Sequence, residues 1–378
     1  MFVDNIKLVN FRSFSDLTLK ETNSPLCILA GKNGAGKTTI LEAMYLLSTG
    51  IGIHTRKNQD FVKFGTPGFR VQASVLPGEP DTKTTVNYSN TTLAMKYKTE
   101  EKRQLSLDEH PAAGMSEFIG KIRVSLMQPD DISLIEGGPA NRRKFLNILL
   151  SQSKPKYFNS LKRYRRALKQ KMKVAYFGER KMSRSFGIEM LTEMPTLFSE
   201  RSVCVKKLEA EIVEISELMK FDGKISLDYR PAVPKGALAE NESNWEKVAE
   251  KCIKEGDKLE EMGSHSQFGP SRDEIVIRLD DINVRKYGSQ GQKRIISLLL
   301  RLAEASLLKH ENNAPLVLID DVFGELDNER RKAFMDLVKA SKYQTWIATT
   351  SPEIYLESWS KWVKFDINRG ILKEVERS

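Results

Sequence analysis

A glycine-rich loop, GKNGAGKT at Gly31–Thr38, carries the residues of this sequence best suited to grip phosphate. Gly31, Gly34 and Gly36 permit a backbone that curls with its N–H groups pointing inward, so that Gly31, Lys32, Asn33, Gly34, Ala35 and Gly36 line an anion cradle. Lys37 supplies a point charge to the outer phosphates of a nucleotide. The Thr38 hydroxyl can ligate magnesium, and Thr39 follows at the start of a helix. A second chemical group lies some 280 residues further on: LVLIDD, Leu316–Asp321, an apolar strand ending in two carboxylates. Asp320 suits a magnesium ligand, and Asp321 could orient or deprotonate an attacking water. Alone, such a run is an ordinary strand end; the loop upstream gives it meaning. A third group, SQGQ at Ser289–Gln292, opens the helical run KRIISLLLRLAEASLLKH. Ser289 can cap that helix, and the exposed N–H groups of the same turn, with Gln292, can receive an anion such as a γ-phosphate from a second subunit.

These groups must be held by elements legible around them. LCILA (Leu26–Ala30) reads as a buried strand entering the loop, and Thr38–Leu47 as the helix leaving it. Residues 3–9 and 17–19, with Phe11 and Phe14 around a turn, read as a hairpin. RVQASVL, TTVNYS and LAMKYK suggest antiparallel strands between residues 70 and 107, and Arg123–Met127 another buried strand. Residues 142–222 look helical, with Val205, Leu208, Ile212 and Ile215 forming a narrow apolar seam and Pro195 marking a break or a helix start. EIVIRLD, a tight turn at Asp280–Asp281 and INVRKYG read as a further strand pair. The expected fold is an α/β ATPase head, a mixed sheet with a P-loop plus an antiparallel β subdomain. Residues 1–140 and 265–378 would form it, and 141–264 a helical arm.

At 378 residues the chain has room for two or three domains. No apolar run is long enough for a membrane span, and no signal peptide is expected at the N-terminus. Cys27, Cys204 and Cys252 are too scattered for a zinc or disulfide framework, so a cytoplasmic protein is expected. The net charge of +10 is concentrated. Between Arg142 and Arg184 fifteen basic residues face one acid, Glu179, a net of +14. With few i,i+4 acidic neighbours, self-repulsion in this stretch is expected to be unrelieved. A polyanion is the expected partner, with Arg163, Arg165, Arg166, Lys169 and Lys173 as candidate DNA contacts.

Together these motifs resemble the RecF family, bacterial recombination-mediator ATPases related to the heads of SMC proteins. GKNGAGKTTILEA is similar to that family's Walker A segment. PDDISLIEGGPANRRKFLN (Pro129–Asn147), FGPSRDE, YGSQGQKR and LVLIDDVFGELD follow in the family's order. The resemblance implies ATP and Mg2+ as cofactors, an ATP-dependent homodimer, slow hydrolysis, and Ser289 on the γ-phosphate of the opposite subunit. It implies DNA gaps or single-strand–double-strand junctions as target, RecO and RecR as partners, and RecA loading as outcome. Asp327 would join the two sites, Gln128 would be a lid-type glutamine, and Arg12 would reach nucleotide phosphate. Ser271 and Glu274 depart from the family's pattern, and Thr349–Thr350 stand where transporters carry a switch histidine. His54 and Arg56 fall in a loop resembling a basic family motif. An ABC transporter ATPase subunit shares the nucleotide motifs but gives no reason for the basic arm. An SMC-like organiser of distant DNA would need a long coiled coil and hinge.

Overall fold

The computed structural model describes residues 1–76, 91–238, 244–262, 267–310, 314–322, 328–356 and 359–378. TTVNYS and the GELD loop with Asp327 lie outside these residues. Contacts divide the chain into two compact units. The first comprises Met1–Asp131, Ile215–Phe221 and Leu298–Ser378; the second comprises Ile132–Glu214 and Asp222–Ser297.

The first unit begins with the hairpin β1 (Phe2–Phe11) and β2 (Phe14–Lys20), closed where Phe11 pairs with Phe14. Next, β3 (Leu26–Ala30), buried throughout, enters the glycine loop. Four more strands, β4 (Gly68–Leu76), β5 (Thr91–Lys98), β6 (Gln104–Leu107) and β7 (His110–Pro111), extend the hairpin into an antiparallel sheet ordered β2-β1-β4-β5-β6-β7. β8 (Val124–Met127) belongs to a different sheet, completed by the C-terminal part of the chain.

In the second unit β9 (Ile225–Arg230), β10 (Glu274–Leu279) and β11 (Ile282–Asn283) make a three-stranded sheet. Asp280 and Asp281 join β10 to β11 with both φ angles positive, at 49° and 63°. That is the left-handed pair a two-residue hairpin turn requires, and aspartate tolerates it. The strand expected over INVRKYG stops after two residues. Asn283 Oδ1 accepts the Lys286 amide at 3.3 Å and so caps a helical turn over Val284–Tyr287.

Back in the first unit, β12 (Leu316–Asp320), β13 (Gln344–Thr349), β14 (Trp362–Asn368) and β15 (Ile371–Arg377) complete the second sheet, ordered β15-β14-β3-β13-β12-β8. It is parallel except for the edge strand β15. Parallel strands covered on both faces need continuous apolar runs, and LCILA and LVLI supply them. Helix α1 (Lys37–Thr49) packs against strands of both sheets, and nearly all of it is buried.

The second unit carries α2 (Pro139–Ser153), α3 (Pro155–Tyr176), most of α4 (Arg180–Leu218), α5 (Trp245–Glu261) and the start of α6 (Gln290–Leu308). Pro139 and Pro155 occupy first helical turns, where the missing N–H costs nothing. Pro195 marks neither a break nor a start, contrary to expectation: it lies inside the 39-residue α4. Met190, Met194, Leu197 and Phe198 are buried around it, and their packing outweighs one lost backbone bond.

Candidate functional site: a phosphate loop beside a paired carboxylate

Strands β3 and β12 are second neighbours with β13 between them, which sets their ends about 10 Å apart. Ala30 pairs with Thr349, and Asp320 pairs with Ala348 one residue earlier on β13. The loop and the carboxylate therefore leave the same sheet edge although Thr38 and Asp320 are 282 positions apart in the chain. In open α/β sheets this carboxyl edge is where ligands bind.

Two glycines of the loop are dictated by their surroundings. At Gly31 φ is 150°, and a Cβ would come within 2.3 Å of the Ile367 carbonyl oxygen; at Gly36 φ is 110°, and a Cβ would meet the Phe14 ring at 2.7 Å. The Gly370 amide donates to the Ala35 carbonyl at 3.0 Å, so the β14–β15 turn braces the loop from outside. The Lys37 side chain bends back inside it. Its Nζ donates to the Gly31 carbonyl at 2.6 Å and to the Lys32 carbonyl at 3.0 Å. Burial pushes the Lys37 ammonium down from its usual pKa, and Asp321 and Asp320 oppose that shift. For Asp320 burial raises the carboxyl, while a hydrogen bond from Thr38 and the nearby charges of Lys37 and His54 lower it. Thr38 and Asp320 thus place two hard oxygen donors together, the donor set that suits Mg2+. Asp321 is exposed, at a φ of 48°, and its amide donates to the Ala348 carbonyl at 3.1 Å. A lysine amine held inside a glycine loop, beside an oxygen pair, fits a nucleotide triphosphate with its metal.

Other candidates have additional occupations. Arg12, in the β1–β2 turn at φ 54°, donates to both carboxylate oxygens of the buried Glu42, at 2.9 and 3.0 Å. Its guanidinium also lies over Phe61, 5.1 Å from the ring centre. Reaching phosphate would mean giving up Glu42. Asp131 accepts the Gln128 amide at 2.9 Å and Arg301 Nη2 at 2.6 Å; Arg301 also donates to Glu304, which bonds Ser125. Thr349 Oγ1 accepts the Ser351 amide at 3.1 Å. His54 and Arg56 are exposed.

In the second unit the expected capping role of Ser289 is present in full. Ser289 Oγ accepts the Gln292 amide at 3.2 Å, and Gln292 Oε1 accepts the Ser289 amide at 2.8 Å. This reciprocal pair is a capping box. Glu136, which sequence reading did not single out, receives Gln290 Nε2 at 2.9 Å and Lys293 Nζ at 3.0 Å, and these bonds hold its carboxyl below the usual range. It falls in the segment Pro129–Asn147, so its motif membership was the available signal.

The basic stretch is less unrelieved than expected. Arg142 pairs with Glu274 and Lys171 with Asp257, Lys154 bonds Glu200 and Arg163 bonds Glu193. These acids are 30 to 132 positions away, beyond any i,i+4 count. Arg163 is thereby committed to Glu193 although it is exposed, and Arg165, Arg166, Lys169 and Lys173 are exposed on α3 as well. Ser271, which departs from the family's histidine, lies 3.4 Å from the Tyr164 hydroxyl.

The family model described as the RecF/RecN/SMC N terminal domain matches residues 2–371. The "DNA replication and repair protein RecF" of Halothermothrix orenii is 31% identical over 360 residues, covering 93% of this chain and 92% of that one. That of Acetivibrio thermocellus is 30% identical over 366 residues, with 94% and 95% covered. Among solved structures, the recombination mediator protein RecF-ATPrS in the RecFOR pathway superposes with a TM-score of 0.83 at 26% identity, covering 98% of this chain and 97% of that one. An Smc head domain from Pyrococcus furiosus reaches 0.56 at 14% identity, a likeness of fold alone.

Proposed function

Because this chain belongs to the RecF family of ATP-binding ATPases, within the wider RecF/RecN/SMC group, we propose that it is an ATP-dependent DNA-binding protein of recombinational repair and replication restart. In this reading residues 1–140 and 265–378 work as the head and 141–264 as a lever arm. ATP, with Mg2+ on Thr38 and Asp320, closes two heads into a homodimer that binds gapped or junction DNA and aids RecA loading with RecO and RecR. Slow hydrolysis, with Asp321 positioning water, then resets the clamp. The observation that carries the reading is the meeting of Lys37, Thr38 and Asp320 from opposite ends of the chain. Bound nucleotide supplies the electrophilic phosphate; these side chains orient it and neutralise its charge.

The dimer is tested at Ser289. In the free protomer Ser289 caps α6, so alanine loses a cap worth about 1 kcal/mol together with any phosphate contact. Aspartate keeps the cap but sets a negative charge against a phosphate. Both Ser289→Ala and Ser289→Asp should still bind ATP yet form at least about tenfold less ATP-induced dimer by light scattering. Dimers intact in the aspartate variant would show that only the cap mattered, and the composite site would be wrong.

DNA contact is assigned to the exposed cations of α3. Each phosphate neutralised contributes about 0.9 to the slope of log affinity against log salt on duplex DNA. Replacing Arg166, Lys169 and Lys173 with glutamine should therefore flatten that slope by about 2 to 3. An unchanged slope places the DNA site elsewhere.

A further inference from the structure

Helix α3 divides cleanly by face. Tyr157, Leu161, Tyr164, Ala167 and Val174 are buried, and Lys171, also buried, is neutralised by Asp257. On the opposite side Lys162, Arg166, Lys169 and Lys173 are exposed at steps of four, three and four residues, so they form one stripe along the helix. The next position in that stripe, three residues on, is Tyr176. It is 86% exposed, and Phe177 beside it is 65% exposed; the rings meet edge to face with centroids 5.3 Å apart. From Lys162 to Tyr176 the stripe is about 21 Å long, the rise of about six base pairs.

Two adjacent aromatic side chains this exposed at the end of a helix are unusual, because each leaves a large apolar surface in water. They lie outside the face of α3 that carries its buried side chains. Glu179 is the acid nearest in sequence, against Lys169, Lys173 and Lys181 around it. A protein partner with an apolar surface would want the rings without the stripe of cations leading to them. A nucleic acid wants both, because phosphates follow the charges and an unpaired base has a flat face to offer.

We propose that the α3 stripe is a duplex-phosphate track and that Tyr176–Phe177 is a stacking site for an unpaired base where the duplex ends. This rests on the DNA-binding reading above and assigns it a place and a substrate feature. Paired bases inside a duplex offer no open face, so the rings add affinity only at a single-strand boundary. The cations act on every duplex, and the aromatic pair discriminates.

The test uses the full chain with ATP, a blunt duplex, and the same duplex with a single-stranded extension carrying 2-aminopurine at its first unpaired position. Wild type should prefer the extended DNA and change the 2-aminopurine fluorescence. Tyr176→Ala/Phe177→Ala should lose about tenfold of that preference, with blunt-duplex affinity and its salt slope unchanged and no fluorescence response. Tyr176→Trp/Phe177→Trp should restore both readouts. An alanine pair that keeps the preference and the fluorescence response overturns the stacking site and leaves a protein-docking role for the rings. A wild type that binds neither DNA sinks the parent reading instead.

Discussion

Lys37→Met should lower affinity for ATP by at least about a hundredfold while leaving the fold intact. The ammonium sits almost fully buried, donating to the Gly31 and Lys32 carbonyls. Burial works against its charge, and Asp321 and Asp320 oppose that effect. Methionine preserves the apolar stem and removes the charge together with every donor. Losing a charged hydrogen-bond donor to a phosphate costs about 2–3 kcal/mol, and more where water is excluded. The two carbonyls lose their donor as well, but they belong to a loop that water can reach, so the melting temperature should shift little. Arginine is no substitute: its planar fork is wider than the space a lysine fills under the loop, so Lys37→Arg should fail nearly as badly. Titration with a fluorescent ATP analogue, beside a thermal melt, reads both quantities. Binding within about threefold of wild type would show that loop amides alone hold the nucleotide, and the assignment of Lys37 would have to be abandoned.

Much of this site was legible because its determinants are local. Gly31 and Gly36 announce a backbone no other residue accepts, and the strand before and helix after confirm the loop. The Asp280–Asp281 turn was legible for a similar reason, since two adjacent aspartates tolerate left-handed backbone between strand-like runs. What the sequence concealed is non-local. Charge counting between Arg142 and Arg184 found only Glu179, because Glu193, Glu200, Asp257 and Glu274 reach that stretch through folding. Arg12 could be placed in its turn, but not paired with Glu42 from 30 positions away. Pro195 misled because a proline rule describes an isolated helix, whereas α4 is held by the packed side chains around that position. At Ser289 the cap was legible, but the bond that Gln292 returns to the Ser289 amide was not, because Gln292 was expected only to receive an anion. Whether a phosphate also docks there depends on a second molecule, which no single chain displays.

The largest stability effect should come from Asp273, a residue that touches none of the phosphate chemistry. It is 1% exposed and accepts Arg201 Nη1 at 2.6 Å, the Tyr229 hydroxyl at 2.6 Å and the Ala232 amide at 2.9 Å. Arg201, equally buried, also donates to Pro270 O at 2.5 Å, Asn147 Oδ1 at 2.9 Å and the Tyr157 hydroxyl at 3.0 Å. One ion pair thus ties α2, α3, α4, β9 and the segment before β10 into a single unit. Burial opposes the Arg201 charge, yet Tyr157, Asp273 and Tyr229 hold its pKa above the ordinary value. The pair's worth relative to an apolar core is small, but removing one partner strands the other in a medium that cannot solvate it. Asp273→Ala should therefore destabilise the second unit by about 3–5 kcal/mol. Arg201→Met should cost a similar amount, and the double variant Arg201→Met/Asp273→Leu clearly less than the sum, because no bare charge remains. Trp245, stacked on Phe198 at 5.4 Å in the same unit, is the natural reporter for urea unfolding once the other three tryptophans are changed to phenylalanine. Additive single and double effects, or an alanine variant within about 1 kcal/mol of its parent, would mean that packing of the apolar faces of α2–α4 holds this unit and the ion pair merely rides along.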